Sequence, residues 1–262
     1  MFLNHFKMKA QPFAERMVPE AFWRDPRIDE GLARLRYLAE DATVGLLTGA
    51  SGVGKSALVQ AFLNELSGPR WDVIYVHLTH LPSAGLLKLL VRQLDEPPRR
   101  GKDRLFRQIL DRANRAEGTM VVVIDEAHLL DHDALTDLRL LVSSAVEAPP
   151  LKLLLVGQEP LRHTLRQSQH GAFLSRMRVR YVLRALEPDE TASYIDFQLK
   201  YAGASHRLFD EEAKRMIHEY AGGMVRMINN LATASLIQAM ARDTERVSEA
   251  VVRQTVREFQ CV

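Results

Sequence analysis

The sequence predicts a doubly wound α/β fold, a five-stranded parallel sheet covered by helices on both faces, with an all-helical domain after it. Three observations predict this. Apolar runs of strand length at residues 44–48, 72–78, 119–125, 151–156 and 178–183 are separated by helical segments, the alternation that builds a sheet buried on both sides. A glycine-rich loop, Gly49 to Ser56, stands between the first of these runs and a helical stretch. From Glu187 onward the strand pattern stops and only helical periodicity remains.

Taken in order, residues 1–27 form a leader with aromatics at Phe2, Phe6, Phe13, Phe22 and Trp23 and prolines at Pro12, Pro19 and Pro26. These aromatics either wall an adenine pocket or fasten the leader to the core. A helix over 27–42 carries Leu32, Leu35 and Leu38 on one face and feeds the first strand. After the glycine loop, helices are expected over 56–66, 83–94, 103–116 and 133–146, with shorter helical pieces over 161–168 and 171–177. Ser67-Gly68-Pro69 and Pro149-Pro150 break the chain between elements, and residues 96–102 read as a basic surface loop. The last four helices are expected over 187–202, 210–221, 224–241 and 248–259. The resulting division is a leader and helix over 1–42, an α/β core over 43–185 and a helical lid domain over 186–262.

The loop GASGVGKS has the spacing of a phosphate cradle. Its glycines let backbone N–H groups turn inward around a polyphosphate. Lys55 supplies a point charge to the β and γ phosphates, and the Ser56 hydroxyl suits Mg²⁺. The candidate ATP contacts are therefore Gly49, Ser51, Gly52, Val53, Gly54, Lys55, Ser56 and Ala57, at the start of a helix whose dipole favours anions.

The run VVVIDEAHLL puts Asp125 and Glu126 at the carboxyl end of a buried strand, on the rim where doubly wound sheets bind ligands. Asp125 suits Mg²⁺, and Glu126 suits the polarisation of an attacking water in phosphoryl transfer. Gln158 follows another apolar strand and is read either as a water-orienting side chain or as a turn residue. Arg176, with Arg178 in reserve, is a charged edge residue in a monomer and could reach a neighbour's γ-phosphate in an oligomer. Arg226 follows Gly222-Gly223 in the first turn of a helix, where a cation opposes the dipole, and is read either as answering a partner such as a phosphate or as a solvated surface arginine. His77, His80, His128, His132, His163 and His170 show no metal-ligand spacing and read as solvated or packing residues.

Composition sets the outer bounds. With 262 residues, 47% hydrophobic and 26% charged, the chain is an ordinary globular protein, neither disordered nor fibrous. Its one cysteine, Cys261, excludes a disulfide framework and a cysteine-rich metal site. No apolar run reaches spanning length, so no membrane segment and a cytoplasmic location are expected. A net charge of +2 permits nucleic-acid binding without arguing for it.

On the leader HFKMKAQPF and the motifs GLLTGASGVGKS, VVVIDEAHLL, LLLVGQEPLR, LSRMRVRYVLRAL, LFDEEAKRMI and GGMVRMINNLATASLIQA, the chain resembles the P-loop ATPases of the AAA+ class, and among them the ExeA-like family. The resemblance implies an AAA+ αβα core with a helical lid and ATP bound between subunits of a ring or filament. It also implies that Lys55 and Ser56 are Walker A residues, Asp125 and Glu126 Walker B, Gln158 sensor 1, Arg176 an arginine finger and Arg226 sensor 2. Gln158 departs from the Asn or Thr often found at sensor 1. Neither the membrane segment nor the peptidoglycan-binding domain of secretion-type ExeA proteins is expected here, and on that expectation the chain is similar to the stand-alone ATPases that accompany transposases, such as TnsC, IstB and MuB. An ATP-dependent helper that assembles on double-stranded DNA and recruits a transposase is the expectation, with a secretion or pilus-assembly ATPase as the alternative. His80, Ser83, Arg99, Arg100 and Lys102 are the candidate phosphate contacts to a duplex. A nucleotide-dependent scaffold that does not hydrolyse ATP is disfavoured by the presence of both Asp125 and Glu126.

Overall fold

The structure is a computed structural model that describes residues 2–15, 18–78, 80–143 and 150–260. By contact the chain divides into two units, one of Pro26–Gly49 and Leu58–Leu183, the other of Met1–Asp25, Ala50–Ala57 and Arg184–Val262.

The first unit holds a parallel sheet of β1 (Val44–Thr48), β2 (Trp71–His77), β3 (Thr119–Asp125), β4 (Leu151–Gly157) and β5 (Met177–Val182) in the order β2-β3-β4-β1-β5. Every strand pair is parallel, and the central strands are buried almost end to end, as a sheet covered on both faces requires. In chain order the helices are α1 (Phe2–His5), α2 (Pro26–Asp41), α3 (Lys55–Glu65), α4 (Ser83–Gln93), α5 (Lys102–Arg115), α6 (His132–Leu141), α7 (Glu159–Leu165), α8 (Gly171–Leu174), α9 (Pro188–Tyr201), α10 (Glu211–Ala221), α11 (Val225–Ala241) and α12 (Glu249–Gln260).

Alternate residues of the strands, Leu46, Ile74, Val76, Val122, Ile124, Leu153 and Leu155, share one core with Leu86, Leu87 and Leu90 of α4, Leu105 and Ile109 of α5 and Leu135 and Leu138 of α6. On the opposite face α2 approaches closely. A Cβ on Gly45 would lie 2.7 Å from Leu38 Cδ2, and one on Gly31 would lie 2.6 Å from Leu58 Cδ2 and 2.9 Å from the Tyr181 ring. These two glycines are packing devices, each replacing a side chain for which the neighbours leave no room. The Tyr181 hydroxyl, buried on β5, donates to the Arg27 carbonyl at 2.5 Å and fixes the start of α2.

The second unit is helical. Pro188 stands in the first turn of α9, where its missing N–H costs nothing, and the Glu187 N–H is capped by Glu190 Oε2 at 2.8 Å. Ile195, Leu199, Ala213, Ile217, Ile228, Leu231, Leu236, Val252 and Val256 from α9 to α12 form its core. The leader joins this helical core rather than the α/β core. Phe6, Met8 and Phe13 are buried in it, Trp23 stacks edge-on against Tyr194 at 5.6 Å, and the Lys9 N–H donates to the Ala202 carbonyl at 2.7 Å. The fully buried ammonium of Lys214 is paired with Asp196 at 2.7 Å and Glu211 at 3.0 Å, the only condition under which such a charge is tolerated inside.

Element boundaries follow the sequence reading to within a few residues, with one shift that matters. The stretch read as helix to residue 177 ends at Leu174, and Met177 already belongs to β5. The far end of the helix expected over 133–146 lies outside the described residues beyond 143.

Candidate active site

The glycine loop runs from the end of β1 into α3. Gly52 and Gly54 have φ of 81° and 109°, values that L side chains rarely adopt, so these positions need glycine. The backbone they shape is a nest of N–H groups, which suits a phosphate. The Lys55 ammonium is buried and donates to the Ala50 carbonyl at 2.9 Å, folding the side chain back along the loop. Arg226, in the first turn of α11, meets the same loop. Its N–H donates to the Gly52 carbonyl at 3.0 Å, and its Nη1 donates to Ser51 Oγ at 3.3 Å. A Cβ on Gly52 would sit 3.0 Å from Arg226 Cβ, so the contact also depends on the glycine. An arginine that opposes the helix dipole is thereby explained by what it touches, a loop built for anions.

On the sheet unit, Asp125 ends β3 with 2% exposure, and its carboxylate accepts two hydrogen bonds, with His77 near it. The Glu126 N–H donates to Oδ1 at 2.9 Å, the Tyr75 hydroxyl donates to Oδ2 at 2.7 Å, and His77 Nδ1 lies 3.7 Å from Oδ2. Register brings these together: β2 pairs with β3 so that Tyr75 stands beside Val123 and His77 beside Asp125. The Tyr75 phenol is pushed far above its ordinary range, first by burial, then by its hydrogen bond to Asp125 and by the charges of Asp125 and Glu126. It therefore stays a donor at any ordinary pH.

Glu126 has φ 56° and ψ 31°, a left-handed conformation uncommon outside glycine. That turn swings the chain from β3 into a 3₁₀ turn over Ala127–Leu129, which carries His128. His128 Nδ1 lies 3.2 Å from Glu126 Oε2, and its Nε2 lies 3.4 Å from Gln158 Nε2. Gln158 itself is half-buried at the N-cap of α7, immediately after β4. Asp125, Glu126 and Gln158 thus lie together at the carboxyl ends of adjacent strands, as the doubly wound pattern predicts. The hard oxygen donors of the Asp125 carboxylate fit a divalent cation such as Mg²⁺.

Arg176 is elsewhere on this unit. It precedes β5, whose Met177 pairs with Val44 at the start of β1, so it belongs to the amino rim of the sheet. There Arg176 and Arg178, with Ser175, Thr43 and Asp41, line a cavity of about 330 Å³. Arg178 occupies a register shift between β5 and β1, and Arg180 is committed to the carbonyls of Met177 and Leu174.

The five candidate DNA contacts separate into two groups. His80, Arg99 and Arg100 are exposed. Ser83 is buried and donates to Asp137, and Lys102 pairs with the same buried carboxylate at 2.8 Å. This corrects the sequence reading for Ser83, whose hydroxyl joins α4 to α6 and faces no solvent. Lys102 stays exposed while pairing with Asp137 from the first turn of α5. The sequence reading also missed Tyr75, His77 and His128 as neighbours of Asp125 and Glu126. The alternation of Tyr75 and His77 along β2 was a usable signal, since both face the same side of the strand.

The fold is that of the P-loop AAA+ ATPases. Residues 38–165 match the family model described as an AAA domain. The chain is 31% identical over 254 residues to General secretion pathway protein A of Aeromonas hydrophila, covering 94% of this chain and 46% of that protein. It therefore spans about half the length of this curated relative. Among solved structures it is similar to the Aeropyrum pernix ORC2 protein in its ADPNP-ADP complexes, with a TM-score of 0.72 and 21% identity over 95% of this chain and 72% of that one. It is also similar to the Aeropyrum pernix ORC1 protein in complex with DNA, with a TM-score of 0.74 and 18% identity over 95% and 68% of the two chains. At those identities the likeness to the two structures is one of fold. No helix among the described residues is long and apolar enough to cross a membrane.

Proposed function

We propose that the chain binds and hydrolyses ATP as a conformational and assembly switch, and that its output goes to a protein partner of the secretion or envelope-assembly type. The observation that carries the enzymatic part is the strand end where Asp125 and Glu126 take different conformations for different tasks, with Gln158 near them; in the other unit the anion-shaped loop is contacted by Arg226. Phosphates are held by the loop and Lys55. Glu126 takes a proton from the attacking water, Gln158 orients that water, and Arg226 reports the state of the loop to the helical unit. Ser56 and Asp125 would hold Mg²⁺, which when bound would neutralise charge on the phosphates. Arg176, on the amino rim, acts on a neighbouring subunit's nucleotide.

What supports the partner class is the 31% identity to General secretion pathway protein A across 94% of this chain. The transposition reading keeps the exposure of His80, Arg99, Arg100 and Lys102 as support, with Arg99 and Arg100 on the loop before α5. It loses Ser83, which is buried against Asp137. Sedimentation of the protein with ATP, with and without a duplex, tests both. Assembly driven by ATP alone and indifferent to DNA supports the secretion-type reading, whereas assembly only on DNA, lost in Arg99→Ala/Arg100→Ala, supports the transposition helper. Lys55→Ala is expected to abolish assembly in either case.

A further inference from the structure

We propose that His128 is a positioning residue that holds the Glu126 carboxylate and couples it to Gln158 during hydrolysis. The inference rests on the reading of Glu126 as the general base. Three features converge on the imidazole. The left-handed conformation of Glu126 and the 3₁₀ turn after it bring His128 back beside the carboxylate, Nδ1 to Oε2 3.2 Å. Gly157 lets the end of β4 come close, since a Cβ there would lie 3.1 Å from the His128 backbone nitrogen. Gln158, the next residue, reaches the other ring nitrogen at 3.4 Å.

The chemistry at the two nitrogens is linked. Nε2 can accept from the Gln158 amide only when it carries no proton, and the proton of the neutral ring then lies on Nδ1, the nitrogen that faces Glu126. The opposite tautomer would set a lone pair against a carboxylate. Nδ1 is buried and makes no hydrogen bond in this arrangement, so a small rotation of the Glu126 side chain would satisfy it and fix the carboxylate in one rotamer. A base held in one rotamer is in place before the water reacts, and a shift of Gln158 is passed through the ring to that carboxylate.

The test compares His128→Leu, which keeps bulk and removes both nitrogens, with His128→Asn, whose amide N–H falls near the place of Nδ1. Turnover of ATP and the Kd of a fluorescent ATP analogue are measured for each, and for Gln158→Ala alone and combined with His128→Leu. His128→Leu is expected to lower kcat about tenfold to a hundredfold at unchanged Kd, with most of the rate recovered in His128→Asn. The double variant is expected to be no slower than its slower parent. Wild-type turnover in His128→Leu, equal loss in the Leu and Asn variants, or multiplying losses in the double variant would each overturn the proposal. Should His128→Leu fail to fold, His128→Gln, whose amide falls near Nε2 instead, replaces it: Asn faster than Gln supports the role, and equal rates refute it. A wild-type protein that binds ATP without hydrolysing it would overturn the ATPase reading and this inference together. Active wild type beside an equally active His128→Leu would overturn the inference alone.

Discussion

Asp125 and Glu126 are adjacent in sequence and differ in almost every physical respect. Asp125 is buried, extended and tied by Tyr75 and the Glu126 N–H, whereas Glu126 is half-buried in a left-handed turn with His128 as its neighbour. A carboxylate meant for a cation benefits from fixed orientation, and the phenol that supplies it stays protonated. Tyr75→Phe is therefore expected to raise the Mg²⁺ concentration for half-maximal ATPase by roughly tenfold while leaving ATP binding without metal unchanged, as read by a Mg²⁺ titration. The two carboxylates were legible in the sequence because an apolar strand ending in Asp-Glu after a glycine loop is a local pattern. Tyr75 and His128 were not, since Tyr75 meets Asp125 through strand register and His128 meets Glu126 through an unusual φ, and neither is written in spacing. Lys102 is exposed as its sequence context suggests, yet its ion pair with the buried Asp137 comes from packing between helices and is not written in spacing either.

At the scale of elements, periodicity located the strands and helices well because the central strands are uniformly apolar and the helices carry one buried face. It failed where short elements meet. Between α8 and β5 only two residues intervene, and Arg178 falls at a register shift that no propensity encodes. The double glycine before α11 was visible as a break, yet its two members do different work. Gly222 has φ 57° with open space around it, while Gly223 has φ 70° and a Cβ there would overlap the Leu186 backbone, whose N–H donates to the Gly223 carbonyl at 3.0 Å. Gly222→Ala is expected to cost about 1 kcal/mol, the strain of the left-handed turn alone. Gly223→Ala is expected to cost at least about 2 kcal/mol more, because backbone atoms must move to admit it. Urea unfolding of the two variants measures the difference, and equal costs would refute the distinction.

For the whole molecule, the parallel sheet and the helical region after it were legible, since alternating strands and helices followed by helices alone leave few fold classes open, whereas the strand order was not read from the sequence. What the chain acts on was less legible, because an AAA+ fold hosts many functions and the partner is chosen by surfaces, not by the nucleotide chemistry. The position of Arg176 on the amino rim leads to a definite expectation for an oligomer. Lys55→Ala and Arg176→Ala should each be inactive alone. An equimolar mixture should recover about a quarter of wild-type ATPase, since an interface pairing an intact loop with an intact Arg176 can still form. No recovery in a mixture that co-assembles would place the action of Arg176 within its own subunit.

The central claim, that ATP bound at the glycine loop is hydrolysed through Glu126, is tested most directly by single-turnover hydrolysis in Glu126→Gln beside the wild type. The account predicts unchanged ATP affinity, a rate lowered by about a hundredfold or more, and an assembly that persists while ATP remains intact. A Glu126→Gln protein that cleaves ATP at the wild-type rate would contradict it.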